Sequence, residues 1–366
     1  ACGRVQMHGG RKSGIRAIYR GIMIETKKLN DEVTLYTVTN GKISFSAMNY
    51  GCTITNLFVP SKTGEKIDIL LGFDSLDEWK AGTASHNSIV GRVANRIRGA
   101  RFTLDGKKYT LDNNDGGNCL HGGFTRYEKM LWNAEEISNA EGEGIRFTRT
   151  SADGEQGFPG NLTLSVSYML TGKNELILEY SGTTDAATPL NLTNHAYFNL
   201  DGSGTVLNHR LQLDCDEYLE SSDDSIPSGT VIFVGDVPAF DFRTEKTVGK
   251  DIAFLASGKK IFGYDHCFIT RAEDEKKLVR FGKIRSEKSG ISMEIFTNQR
   301  GCHIYTGNFL AGVKGKGGVT HNRHDGVCFE TEQFPNAVNV PKFPTCILRP
   351  GEEYWHKTVL KLKTEN

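Results

Sequence analysis

Apolar and polar residues alternate along much of this sequence with a period of two, and the runs are broken by glycine-bearing turns; a chain patterned in this way is built for strands. In "GNLTLSVSYMLTGKNELILEYSG" (160–182), Leu162, Leu164, Val166 and Tyr168 alternate with polar neighbours, and after Gly172 to Asn174 the pattern resumes at Leu176, Leu178 and Tyr180. Successive side chains of a strand point to opposite faces, so each run has one buried and one wetter face. "EVTLYTVTNGKISFSAM" and "RFTLDGKKYTL" do the same around Asn40-Gly41 and Asp105-Gly106, dipeptides that supply the positive φ angles of tight hairpins. Further strands are expected at 210–215, 291–297, 303–306 and 357–363. Helical periodicity is scarce: Ser75 caps a short helix through Trp79, and 245–255 suits another. With 41 glycines among 366 residues and strands from end to end, the expected architecture is all-β, a large antiparallel β-sandwich. Residues 313–326, "VKGKGGVTHNRHDG", read as a long loop, and no linker divides 22–366, which is taken as one domain. Residues 1–21, basic and without an acid up to Arg20, read as a disordered leader or artificial extension.

Lysine plus arginine and aspartate plus glutamate both number 44, a formal net charge of zero. Nucleic acid and anionic membranes select basic surfaces, so a small neutral ligand is the better partner. No stretch approaches the roughly 20 apolar residues of a membrane span. The eight cysteines form neither a Cys-x-x-Cys pair nor a cluster, and read as reduced, mostly buried thiols of a cytoplasmic protein, a monomer or weak dimer.

Chemistry is concentrated in a few stretches that put polar groups beside glycines and aromatics. His195 lies in "NLTNHAYFNL" (191–200), where a titratable imidazole is either a hydrogen-bonded structural group or a proton carrier. "GRVANRI" (91–97), "NCLHGG" (118–123) and "GYDHCF" (263–268) offer Arg96, His121 and Asp265, each of which also has a bland reading as a surface arginine, a turn, or a routine hydrogen-bonded pair. In "VCFETEQFPNAVN" (327–339), Glu330 follows an apolar run; it points either to solvent by simple alternation or into a pocket, where desolvation would raise its pKa.

Taken together and in order, "GRVANRI", "NCLHGG", "NLTNHAYFNL", "GYDHCF", "NQRGCHIYTGNFL" and "ETEQFPNAVN" resemble the aldose 1-epimerase family, also called galactose mutarotases, from about residue 22 to the C-terminus. The resemblance implies a β-sandwich with an open sugar cleft and no cofactor. It implies that Glu330 is the general base and His195 the general acid, and that Asn95, Arg96, His121, Tyr197, Asp265 and Gln299 contact the sugar. The chain departs from the family pattern at Glu332, where glutamine is usual, and at Asn336, where aspartate is usual.

The implied reaction interconverts the α and β anomers of free hexoses such as galactose and glucose. One group removes the anomeric proton, another protonates the ring oxygen, the C1–C2 bond rotates and the ring recloses. On that scheme the rate follows a bell in pH, with an acidic limb from the carboxylate and a basic limb from the imidazolium. Three competing readings are a hexose-phosphate epimerase with Arg126, Lys129 or Arg323 at the pocket rim, a sugar-binding module without chemistry, and a metal enzyme. The last would use His121, His195 and carboxylates, or His321 and His324 in "HNRHDG".

Overall fold

The computed structural model describes residues 16–18, 21–222, 224–256 and 262–365, with the backbone alone for 16–18 and 256. Most of the leader expected over 1–21 therefore lies outside the described residues; within it, Arg16–Ile18 pair with Ile22–Ile24.

The alternation read from the sequence becomes, among the described residues, three large antiparallel sheets and five two-stranded ones. The first is a six-stranded meander running in chain order from Arg16–Ile18 to Lys66–Asp68. The second has nine strands and is centred on Glu175–Thr184, Tyr354–Thr364 and Ile291–Thr297. The third has five, in the order Pro227–Phe233, Glu217–Ser221, Asp265–Ile269, Gly301–Tyr305 and Cys328–Glu332. All three hairpins expected from glycine turns form. Thr34–Thr39 pairs with Ser44–Met48, Arg101–Leu104 with Lys107–Thr110, and Leu162–Leu170 with Glu175–Thr184.

In the last hairpin, Val166 sits opposite Tyr180 and Tyr168 opposite Leu178, and all four are buried. They enter one core shared by all three sheets, with Phe45 and Leu57 from the first, Phe147 from the second and Phe268, Ile304 and Phe329 from the third. Burying an aromatic or aliphatic side chain of this size stabilises by roughly 1.5–3 kcal/mol. The face expected to be wetter is partly covered as well, because Met169, Ile177 and Val359 form a satellite cluster on it.

Helix is confined, among the described residues, to short segments. Ser75 caps Leu76–Ala81 with a full capping box to Glu78, as expected. The helix expected at 245–255 shrinks to Ile252–Ala256. Ahead of it Lys246–Thr247 pairs with Arg210–Leu211, and the Lys246 ammonium is tied to the Pro238 and Ala239 carbonyls and to Asp251, so this stretch is held extended. The loop expected at 313–326 contains a small hairpin, Val313–Lys314 against Thr320–His321. No helix among the described residues is long and apolar enough to cross a membrane.

The connections between sheets are irregular and buried, so their backbone groups need side-chain partners. Arg92, 1% exposed, provides several: its guanidinium donates to the Pro159 and Gly160 carbonyls at 2.7 and 3.1 Å, to Ala152 O at 3.2 Å, and to the Ser151 and Thr188 hydroxyls. Replacing Arg92 with Met keeps bulk but leaves those acceptors unpaired, at roughly 1–3 kcal/mol for each buried group orphaned. Urea unfolding of Arg92→Met should show a loss of roughly 3 kcal/mol or more; a loss under about 1 kcal/mol would mean that the carbonyls find other partners.

Candidate active site

One face of the five-stranded sheet forms the floor of an open cleft of about 290 Å³. Glu330 lies opposite His303 and Asp265 opposite Tyr305. Cross-strand partners share a face, so period-two alternation sends Asp265, His303, Tyr305 and Glu330 to the cleft and Ile304, Phe329 and Thr331 to the other side. This settles the two readings of Glu330. Alternation does turn it away from the core, but the other face is a pocket wall, and Glu330 is 2% exposed.

Loops form the remaining walls. Residues 191–200 are all buried, and only Thr193–Asn194 pair as strand, with Ile89–Val90. Their asparagines brace irregular backbone: Asn191 exchanges two hydrogen bonds with the Gln333 main chain, and Asn194 donates to Asn87 O and Tyr168 Oη. His195 is then fixed by its own main chain, which donates to Ser88 O and accepts from Asn87 N. Its ring lies 4.9 Å from that of Tyr197, whose hydroxyl donates to Ala84 O. His121 (φ 53°) and Gly122 (φ 90°) form a left-handed turn packed on Gly91, where a Cβ on Gly122 would come within 2.0 Å of the Gly91 carbonyl oxygen. Asn95 N donates to His121 Nδ1 at 3.1 Å, so the neutral ring carries its proton on Nε2 and presents a donor. Arg96 is anchored by Asp115 at 2.7 Å.

Seven of the eight expected site residues thus line one cleft: Glu330, His195, Asn95, Arg96, His121, Tyr197 and Asp265. Gln299 does not. It follows the Ile291–Thr297 strand in a turn ahead of Gly301–Tyr305, and its side chain lines a different cavity. From the same "NQRGCHIYTGNFL" stretch it is His303 and Tyr305 that face the cleft, and stepping back by two along the strand expected at 303–306 was the available signal. Arg126 and Phe309 line the cleft as well, and no motif singles out Phe309.

The electrostatics are uneven. His195 Nε2 lies 3.7 Å from Glu330 Oε1, and Glu330 Oε2 has no hydrogen-bond partner among the described residues. Burial, reinforced by the Asp265 charge, pushes the Glu330 carboxyl up to about 8. Burial also lowers His195, to about 4, with the nearby His303 and Arg126 acting in the same sense. Burial would raise Asp265 too, but His303 Nε2 at 2.8 Å, with the Arg96 and His266 charges acting in the same sense, holds it as a carboxylate well below the usual range; Ser225 Oγ also donates to it at 2.9 Å. Glu332, fully buried beside Asn95, is raised well above its ordinary value by burial and by Glu330.

His121, His195 and Glu330 place potential ligand atoms within 4.8 Å of one another, the only such group among the described residues. The fit to a metal is poor, because His121 Nδ1 is taken by Asn95 N and a neutral ring then keeps its proton on the other nitrogen. His321 and His324 belong to no such group.

The family model for aldose 1-epimerases matches residues 34–361. The chain belongs to the aldose 1-epimerase family. It is 39% identical to the galactose mutarotase of Rattus norvegicus over 94% of this chain and 98% of that one. It is 36% identical to the aldose 1-epimerase of Escherichia coli K12, over 86% and 90%. The crystal structure of an aldose epimerase homologue from C. elegans superposes with a TM-score of 0.80 at 34% identity, covering 89% of this chain and 97% of that one. As a member of this family the chain is an isomerase.

Gly122→Ala should distort the contact between the His121 turn and Gly91, which carries Asn95 and Arg96 four and five residues on. The expected result is a melting temperature lowered by several degrees, for a cost of about 1–3 kcal/mol, together with a raised KM. An unchanged melt and KM would show that the turn relaxes freely.

Proposed function

We propose that this cleft interconverts the anomers of free hexoses such as galactose and glucose, with Glu330 and His195 exchanging the protons. The observation that carries the reading is the buried pair itself: a carboxyl pushed up to about 8 and an imidazole pushed down to about 4, 3.7 Å apart. Between those values the pair holds one proton, which is what ring opening needs, one group to take a proton and one to give it. In the free cleft the proton resides on Glu330. Sugar hydroxyls donating to Glu330 favour its carboxylate and leave His195 as the acid that protonates the ring oxygen. After rotation about C1–C2 the two groups exchange roles, and reclosure returns the pair to its starting state. Asp265, kept ionised by His303, accepts sugar hydroxyls, while His121 Nε2 and Arg96 donate to sugar oxygens. Asn95 and Tyr197 complete the walls.

The competing readings fit less well. For a phosphorylated hexose, Arg126 alone of the three expected cations lines the cleft, and it is paired with Glu128 at 2.8 Å. Lys129 is bonded to the Lys80 and Gly82 carbonyls, and Arg323 to Asn308 O. A binding module has no use for a matched proton pair. Residues 22–366 as one domain, a monomeric or weakly dimeric state and a cytoplasmic location belong to the same proposal; the shared core supports the single domain, and the seven free, buried cysteines among the described residues suit a reducing compartment.

Glu330→Gln should retain sugar binding and lose turnover by about 10²- to 10⁴-fold, followed by polarimetry on freshly dissolved galactose; wild-type turnover in a folded variant removes Glu330 from the mechanism. The pH profile of kcat/KM should be a bell with limbs near 4 and 8. The acidic limb is protonation of His195 and the alkaline limb is ionisation of Glu330, the reverse of the order expected from unperturbed groups. His195→Asn should therefore lower the rate and flatten the acidic limb while the alkaline limb stays. Loss of the alkaline limb instead would restore the unperturbed order.

A further inference from the structure

Asn95 touches two buried histidines at once, and its atoms leave each ring one place for a proton. The residue sits in the left-handed region (φ 61°), which asparagine tolerates. Its main chain grips His121 at two points: His121 N donates to Asn95 O at 3.0 Å, and Asn95 N donates to His121 Nδ1 at 3.1 Å. Its side chain reaches the floor of the cleft, where Nδ2 lies 3.3 Å from His303 Nδ1 and 3.5 Å from Glu332 Oε1. The amide is held in this sense because Oδ1 accepts from Arg96 N at 2.8 Å. Both amide hydrogens are thus engaged inside the protein, and neither is left to donate to a sugar.

An amide nitrogen donates and does not accept, so His303 Nδ1 is the acceptor and the proton of that ring lies on Nε2. Nε2 in turn donates to Asp265 Oδ1 at 2.8 Å. A doubly protonated His303 would instead aim an N–H at the Asn95 amide nitrogen, and would need an ionised Glu332, 3.9 Å away, to receive it. Burial and the neighbouring Glu330 favour the neutral form of Glu332. A neutral His303 orients Asp265 without cancelling its charge, so the carboxylate keeps its full strength as an acceptor. We propose that Asn95 is a positioning residue that sets the tautomers of both His121 and His303, so that each presents an Nε2–H, one toward the sugar and the other to Asp265. The consequence for sugar rests on the anomer-interconverting reading above; the tautomers do not.

The test is two-bond proton–nitrogen correlation spectroscopy of the full, sugar-free chain carrying isotopically labelled histidine at neutral pH. The two rings are assigned by the signals lost in His121→Gln and His303→Gln. Both are expected to show an unprotonated Nδ1 and a protonated Nε2. Asn95→Asp puts an acceptor where the amide donated, so His303 should gain a proton on Nδ1, while His121, held by the main-chain N–H of residue 95, keeps its pattern and reports that the turn is intact. Asp265 would then face an imidazolium, and KM for galactose should rise about tenfold, the difference between a charge-assisted and an ordinary hydrogen bond. Glu332→Gln should leave the His303 pattern as it is. A proton on Nδ1 of either ring in the wild-type chain overturns the proposal, whether or not Asn95→Asp folds. So does a His303 pattern that follows Glu332→Gln, or a raised KM in Asn95→Asp with both tautomers unchanged, which would make Asn95 a sugar contact alone. A wild-type chain that shows the expected tautomers but no rate on galactose would sink the anomer reading and leave the tautomer assignment standing.

Discussion

A slip of one residue in the pairing of Cys328–Glu332 with Gly301–Tyr305 would turn Glu330 and Glu332 into the apolar interior and Phe329 and Thr331 into the cleft. In the observed register Glu330 faces His303 and Phe329 faces Ile304. Register is strongly specified wherever one face must be buried, because a single step exchanges every side chain between faces. Phe329, Ile304 and Phe268, all in the shared core, therefore fix the positions of the groups on the reverse side. The hydrophobic interior is what aims the carboxylates.

That placement gathers three carboxyl groups, Asp265, Glu330 and Glu332, on one sheet face with little water. They do not share the available hydrogen bonds equally. Asp265 takes His303 and the Ser225 hydroxyl, and Glu332 has only long contacts, from Asn95 at 3.5 Å and from His303 Nδ1 at 3.9 Å. Glu330 is left with His195 at 3.7 Å. The group with the best partners stays ionised and the other two are pushed upward, so one face carries both a fixed anion and an exchangeable proton. Glu332, where the family pattern has glutamine, is tolerated beside Glu330 because a protonated carboxyl and an amide have similar shape and no charge.

The strands and hairpins were legible because their signal is local: alternation and a two-residue turn contain the needed information. The cleft was legible mainly as a set of motifs, since nothing local in "NLTNHAYFNL" says that its asparagines are braces and that its histidine lines the cleft. Gln299 was misplaced for a related reason. A motif names a stretch, but only the position of the strand within it decides that His303 faces the cleft and Gln299 the turn. The shortened helix at 252–256 reflects Lys246, whose partners, the Pro238 and Ala239 carbonyls, no periodicity could reveal. The direction of the Glu330 and His195 shifts likewise depends on burial by residues far away in sequence.

Arg92 ties its own loop to segments 59, 67 and 96 residues further along the chain. Contacts across such separations form only after the intervening chain has been brought to order, because closing long loops costs entropy before it is repaid. The hairpins need no such wait. On loop-closure grounds the Arg92 ties are thus late contacts, and weakening them acts chiefly on how long the folded molecule lasts rather than on how fast the hairpins form.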